Sequence, residues 1–287
     1  MGRRVILTAA AAALLLSSLA ATAGAAGALT AMSGNPCPGP APAGAAGSAF
    51  LHMLLTPGAH FVPPGRDESP AQRQASERAA ARQRKLDWAD LCRYRAANAA
   101  LKGHPRVVLM GDSITDFWRE GDPSLFGHSI VDRGISGQTS SQMLVRFWPD
   151  VIALHPGIVQ ILAGTNDIAG NTGPTTERDY EDDIVAMAEL ARAQHIRVLL
   201  GSILPAVSFW WTAQPYRPAA QIRRLNRWLR RYARSSGATY VDYYSHLATP
   251  AGAFRRDLSN DGVHPNAAGY RVMTAVLKAA IGANRRP

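Results

Sequence analysis

The sequence predicts an α/β protein: a parallel sheet of about five strands, covered on both faces by helices. Three observations predict it. Short, continuous apolar runs recur from residue 106 onward, and amphipathic helical patterns separate them. Continuous rather than alternating apolar strands mean burial on both faces, which is the condition of a parallel sheet. The polar and Gly-rich segments also fall where strands end, and open sheets of this kind place their sites there.

The elements follow in order. Val107–Met110 is the first strand, Ser129–Val131 a short second, Ile158–Leu162 the third, Val198–Ile203 the fourth and Thr239–Tyr243 the fifth. Helical patterns cover Ser140–Leu154, Thr176–Gln194, Ala219–Ser235 and Ala267–Ile281. In the third of these, Ile222, Leu225, Leu229 and Tyr232 share one face and the arginines take the other. With 287 residues the chain is long enough for one sizeable domain of this kind and short for two.

Upstream, the reading is segmental. Arg3 and Arg4 precede an apolar, Ala-rich stretch, and Ala21-Thr22-Ala23 and Ala23-Gly24-Ala25 both satisfy a small-residue cleavage rule. Residues 1–26 are therefore read as an export signal, by the general or the twin-arginine route, giving a periplasmic or secreted protein without a transmembrane anchor. A retained anchor is the competing reading. Residues 27–70, rich in Gly, Ala and Pro, are expected to form an extended arm, since Asn35-Pro36-Cys37-Pro38-Gly39-Pro40 suits neither helix nor central strand. Residues 71–103 read as a helical extension that packs on the domain through Leu86, Trp88, Leu91 and Tyr94. The main domain takes 104–287. Cys37 and Cys92 are the only cysteines; after export they form either a disulfide or two unrelated thiols. The net charge of +10 comes mostly from arginine. It fits solvated faces, or contact with an anionic envelope surface, and no nucleic-acid motif accompanies it.

The chemistry-bearing positions sit at the strand ends. Ser113 follows the first strand in Gly111-Asp112-Ser113-Ile114-Thr115. It is either a helix cap or a nucleophile; a serine becomes a nucleophile only when a base removes its proton. His264 is the candidate base. Asp261, one tight turn earlier, is placed to fix its tautomer, with Asp242 and Asp167 as alternative orienters. Gly137 can bring a bare backbone N–H close to a ligand, and Asn166 can donate a side-chain N–H. Phe209-Trp210-Trp211 follows the fourth strand, where Trp210 and Trp211 either pack under a loop or meet a sugar ring or an acyl chain. The sequence lacks G-x-x-x-x-G-K-[ST] and H-E-x-x-H, and its other histidines have no ligand spacing, so neither a metal nor an organic cofactor is expected.

These blocks, Gly111-Asp112-Ser113, Gly137, Gly164-Thr165-Asn166-Asp167 and Asp261-x-x-His264, resemble those of the SGNH, or GDSL-type, hydrolase superfamily in order and spacing. The resemblance runs from about Arg106 to Ile281. Ile203-Leu204-Pro205 and Leu225-Asn226 add a similarity to bacterial relatives of the platelet-activating-factor acetylhydrolase catalytic subunits. Ile114 stands where the family motif has leucine. The resemblance implies a flavodoxin-like three-layer α/β/α fold. It implies Ser113 as nucleophile, His264 as base, Asp261 as its orienter, and an oxyanion hole from the Ser113 amide, the Gly137 amide and the Asn166 side chain. The expected function is an exported serine esterase acting on small acyl esters, above all acetyl groups on carbohydrate. Lysophospholipid or other lipid esters and thioesters are alternatives, and a glycan- or polyanion-binding envelope protein is the non-enzymatic one. Activity is expected to rise as His264 loses its proton, near ~6.5.

Overall fold

The computed structural model describes Cys37 and residues 45–64, 69–127, 129–212 and 216–283. The expected export signal and the proline-rich part of the arm around Cys37 lie outside these residues. Among the described residues, five strands form one all-parallel sheet: β1 (Val107–Gly111), β2 (Ile130–Gly134), β3 (Ile158–Leu162), β4 (Arg197–Gly201) and β5 (Thr239–Val241), in the order β2-β1-β3-β4-β5. The helices are α1 (Ala45–Leu55), α2 (Pro70–Leu86), α3 (Arg95–Ala99), α4 (Ser113–Asp116), α5 (Trp118–Gly121), α6 (Ser140–Asp150), α7 (Thr165–Ala169), α8 (Glu177–Ala193), α9 (Ala219–Ser236), α10 (Tyr244–Leu247) and α11 (Ala267–Gly282).

Alternate residues of each strand point to opposite faces, and each face has its own core. Val108, Met110, Val159 and Ile161 pack with Phe147 of α6, Ile184 and Met187 of α8, and Leu225 and Leu229 of α9. Val107, Leu109, Ile158 and Leu162 pack with Trp118 of α5 and with Tyr270, Met273 and Leu277 of α11. This is a three-layer α/β/α arrangement. β1 lies between β2 and β3, so the chain leaves β1 towards one edge and returns from β3 onward towards the other. The crevice at such a switch point is where ligands bind in open α/β sheets.

Three elements depart from expectation. β2 runs on to Gly134, through the charged pair Asp132-Arg133, which are both buried. Arg133 is covered from the N-terminal extension: its Nε donates to Asn98 Oδ1 at 2.7 Å, its guanidinium lies 4.7 Å over the Tyr94 ring, and Tyr94 Oη donates to Gly134 O, while Asp132 Oδ1 accepts from Gly134 N at 2.6 Å. Of the stripe expected to dock that extension, Tyr94 does so, while Leu86, Trp88 and Leu91 stay in solvent, 65%, 41% and 37% exposed. Docking also uses the carbonyls of Trp88 and Ala89, which accept from Gln142 Nε2 and Gln138 Nε2, together with buried Ala89. Finally, the expected arm contains α1. The prolines that forbid helix end at Pro42, Ala45–Leu55 are free to coil, and Pro57-Gly58 closes the helix. Cys37 and Cys92 are both disulfide-bonded, so neither is a free thiol.

One buried ion pair fastens the site's frame. Arg146 of α6 is fully buried and faces Asp150 at 3.1 Å, one turn away. Its remaining donors reach Gly111 O at 3.0 Å and Gln138 Oε1 at 2.5 Å. Breaking such a pair leaves a buried charge uncompensated. Arg146→Ala is expected to lower the unfolding free energy by about 3–5 kcal/mol, read as a fall in the urea midpoint at constant slope; an unchanged midpoint would show that the pair carries no stability.

Candidate active site

Ser113 owes its place to a local conflict. β1 ends at Gly111, and Asp112 then caps α4 by accepting from Ile114 N at 2.9 Å. The aspartate takes the cap, so the serine becomes the first helical residue and its hydroxyl is free for another partner. That partner is His264: Ser113 Oγ and His264 Nε2 are 2.9 Å apart. The Ser113 amide belongs to the first turn of a helix, whose N–H groups lack intrahelical acceptors.

His264 is held from behind. Its Nδ1 lies 2.6 Å from Asp261 Oδ2. The Asp261 side chain is fully buried and takes five donors: Ser259 Oγ at 3.2 Å, Val263 N at 2.9 Å, His264 N at 2.7 Å, His264 Nδ1 and Trp210 Nε1 at 3.1 Å. The alternative orienters are engaged elsewhere. Asp242 pairs with Arg230 on the surface, and Asp167 accepts from the Ser140 amide at 2.9 Å and hydroxyl at 2.5 Å.

Asn166, in α7 beyond β3, faces the serine from the neighbouring strand. It makes no local turn; its Nδ2 donates to Gln138 O at 3.0 Å and to Asp112 Oδ2 at 3.2 Å. Gly137 has φ of 81°, a conformation that suits glycine, and its N–H makes no hydrogen bond among the described residues. The loop carrying it also needs Gly134, where an added Cβ would come within 2.1 Å of Asp116 N. Ser113, Gly137, Asn166, Asp261 and His264 are thus brought to one edge of the sheet. Trp210 and Trp211 reach it too, half-buried, while Phe209 turns into the core. Trp211 lies 6.3 Å from the His264 ring, and Trp210 is bonded to Asp261.

Sequence reasoning missed several residues here. Asn171 Nδ2 donates to Asn166 Oδ1 at 2.8 Å and Gly137 O at 3.1 Å, and its Oδ1 accepts from Trp211 Nε1 at 3.0 Å. Its position one residue after Gly170, in a turn beyond a site block, was the available signal. Gln138 and Arg146 position the Gly137 loop, but nothing in their local sequence marks them. Phe117 packs on the far side of His264 at 5.7 Å.

The electrostatics favour an imidazole that holds its proton firmly. Burial pulls the His264 imidazole down, but the charge and hydrogen bond of Asp261, with the charge of Asp112 beyond, together raise it above its ordinary value. Burial likewise pushes Asp261 up, and the His264 charge with the hydrogen bonds from His264 and Val263 outweighs it, so its carboxyl lies low. Asp112 is the opposite case: burial dominates over the Ile114 hydrogen bond and its carboxyl is pushed up to about 7. Cavities of about 260 and 290 Å³ open elsewhere, one beside Arg223 and Tyr244, the other beside Asp167 and Tyr216. At the serine itself the surface is nearly closed, with Ser113 9% and His264 5% exposed. Among the described residues no three His, Cys, Asp or Glu are grouped to hold a metal, and no helix is long and apolar enough to cross a membrane.

Comparison with known proteins follows this geometry. The model of the GDSL-like lipase/acylhydrolase family matches residues 109–272. A solved structure described as an acylhydrolase from Bacteroides fragilis is 43% identical, with a TM-score of 0.67, covering 70% of this chain and 99% of that one. A GDSL-like lipase from Bacteroides thetaiotaomicron is 41% identical, with a TM-score of 0.66, covering 68% and 98%. A Streptococcus pneumoniae protein described as a platelet activating factor is 25% identical, with a TM-score of 0.60, covering 74% and 98%. No curated protein sequence matches the chain.

The His264 titration, followed by imidazole NMR, is expected above the ordinary ~6.5. Asp112→Asn keeps a good helix cap but removes a negative charge near the ring, so the midpoint should move down. A midpoint that stays in place would remove Asp112 from the electrostatics of the base.

Proposed function

The chain belongs to the GDSL-like lipase/acylhydrolase family, and on that premise we propose that it is an exported serine esterase working through Ser113, His264 and Asp261. The observation that carries the reading is the continuous relay from Ser113 Oγ to His264 Nε2, at 2.9 Å, and from His264 Nδ1 to Asp261, at 2.6 Å.

In the proposed reaction Ser113 Oγ attacks the ester carbonyl carbon as its proton passes to His264 Nε2. Asp261 holds the ring and stabilises the imidazolium. The carbonyl oxygen becomes an oxyanion, received by the Ser113 amide, the Gly137 amide and Asn166 Nδ2. Both Asn166 hydrogens have partners in the free protein, so one must be released. The longer bond, to Asp112 at 3.2 Å, is the cheaper to give up, since burial raises the Asp112 carboxyl to about 7 and so weakens its hold as an acceptor. Collapse of the tetrahedral species expels the alcohol, which takes the proton from His264 and leaves an acyl-serine. Water, deprotonated by the same histidine, then releases the acid.

The favoured substrate is a short acyl ester, most simply an acetyl group on a carbohydrate. Its support is the nearly closed surface over Ser113 and the partly exposed rings of Trp210 and Trp211, of a kind that suits a sugar. A lipid ester is the second reading, favoured by the same apolar rings. Arg-rich α9 is the proposed face towards an anionic surface, although Arg224 and Arg230 are already paired with Glu177 and Asp242.

On p-nitrophenyl acetate, Ser113→Ala is expected to lower kcat by about 10⁴-fold or more; full turnover in that variant would end the serine mechanism. Asn166→Ala should lower kcat by roughly 10²–10³-fold with little change in KM; a change confined to KM would make it a binding residue. The acid limb of kcat/KM should lie above ~6.5. His264 must be neutral to accept the proton, and its raised pKa keeps it protonated to higher pH. A limb at or below the ordinary imidazole value would contradict this.

A further inference from the structure

Residues 45–64 stand outside the stretch matched by the family, 109–272, yet they pack against Phe117 and Trp210, the neighbours of His264 and Asp261. Their attachment begins with packing: Leu54 of α1 is fully buried, and Leu55 packs on the core around Trp118 and Leu258. A helix C-terminus leaves its last carbonyls without partners. Here one side chain supplies them: Asn260 Nδ2 donates to Met53 O at 2.7 Å, Leu54 O at 3.1 Å and Thr56 O at 2.7 Å, while its Oδ1 accepts from Gly58 N at 3.2 Å. Asn260 immediately precedes Asp261. The segment is thus clamped to the same turn that carries the acid of the relay.

From this anchor the segment presents two aromatic rings. Phe50 and Phe61 lie 6.2 Å apart, Phe50 is 6.3 Å from Phe117 and 6.2 Å from Trp210, and Phe61 is 5.5 Å from Trp210. Trp210 meets Trp211 at 5.2 Å, and Phe117 and Trp211 both meet the His264 ring. Phe50 is therefore one ring removed from the base. All five side chains are only partly buried, so the cluster keeps some contact with solvent. The cluster thus reaches the His264 ring through Phe117 and Trp211.

We propose that residues 45–64 are a fixed wall of the substrate cleft, in which Phe50 and Phe61 set the length of acyl chain accepted and hold it to short acids. The proposal rests on the serine-esterase reading and deepens it. Its physical basis is steric. The rings are packed edge-on or tilted against Trp210 and Phe117, and the segment under them is pinned through Asn260, so an acyl chain extending to this side cannot push them away cheaply. Removing the rings should open an apolar channel, and each methylene then buried gains binding in the transition state.

The test is kcat/KM for p-nitrophenyl acetate, butanoate and octanoate in the full chain. The Phe50→Ala, Phe61→Ala double variant is expected to raise the butanoate-to-acetate ratio by about 10-fold or more over the parent. Asn260→Ala, which frees the segment without touching a ring, should move the ratio the same way. Phe50→Leu with Phe61→Leu keeps an apolar core and serves if the alanine pair does not fold; it should give a smaller rise. An unchanged ratio in folded variants overturns the proposal, and a fall would mean that the rings bind long chains rather than exclude them, which overturns it as well. Parent activity abolished by Ser113→Ala, together with an unmoved ratio, would sink the wall and spare the esterase. Parent activity untouched by Ser113→Ala would sink the esterase reading itself.

Discussion

The buried Asp261 carboxylate is the interaction on which the site depends. A carboxylate removed from water is costly unless its oxygens are fully hydrogen-bonded, and here five donors meet that need. Their sources explain the architecture of the site. Ser259, Val263 and His264 come from the turn itself, so the turn is shaped around the charge. The imidazole of His264 is fixed in the tautomer that leaves Nε2 facing Ser113. The fifth donor, Trp210, comes from the loop beyond β4 and couples an aromatic side chain to the acid. Loss of the carboxylate would therefore release a turn, a ring and a loop together.

The other half of the site is set by the sheet. With the order β2-β1-β3-β4-β5, the ends of β1 and β3 are adjacent while their connections diverge. Ser113 and Asn166 face each other for that reason alone. The Gly137 loop must then come close to α4, which the missing Cβ of Gly134 permits, and it must be held there. Arg146 does so from below by bonding Gln138 and Gly111 O while Asp150 balances its charge. Such a pair need not add net stability over an apolar isostere. What it adds here is register, since each of its donors fits one geometry of the loop.

The legibility of this chain divides along physical lines. β3 matches its expected bounds and the four long helices lie within a few residues of theirs, because apolar periodicity is local and strong. The blocks around Ser113, Gly137, Asn166 and Asp261-x-x-His264 are visible because all of them fall at the same edge of the sheet in one order; each alone would pass for an ordinary turn. What escaped was set by tertiary context. Arg133 looks like a loop residue until Tyr94 and Asn98 cover it, and Asp132 until its carboxylate takes the Gly134 amide. Leu86, Trp88, Leu91 and Tyr94 look like a docking stripe, but of these only Tyr94 docks, and the rest of the attachment runs through carbonyls that a sequence cannot display. α1 was hidden by the prolines before it. Asn171, Gln138 and Arg146 act through hydrogen bonds across the fold, so no local pattern marks them, and the role of Asn260 depends on a helix some 200 residues away in the chain.

The aromatic rings and the carboxylates act on the same histidine in opposite senses. Phe117 and Trp211 shield the imidazole from water, which disfavours its charged form; Asp261 and Asp112 favour that form, and the carboxylates prevail. The two effects are not independent, because attraction between Asp261 and an imidazolium strengthens as water is excluded. Closing the cleft therefore strengthens the base pair as it narrows the space for substrate. Phe50 and Phe61 stand behind Phe117 and Trp210, so a segment outside the family's matched region bears on both. Thinning that wall to admit longer acyl chains would also wet the histidine and weaken its coupling to Asp261. On the proposed reading, acyl selectivity and the strength of the base would both be tied to one aromatic cluster, which would limit how far either could change alone.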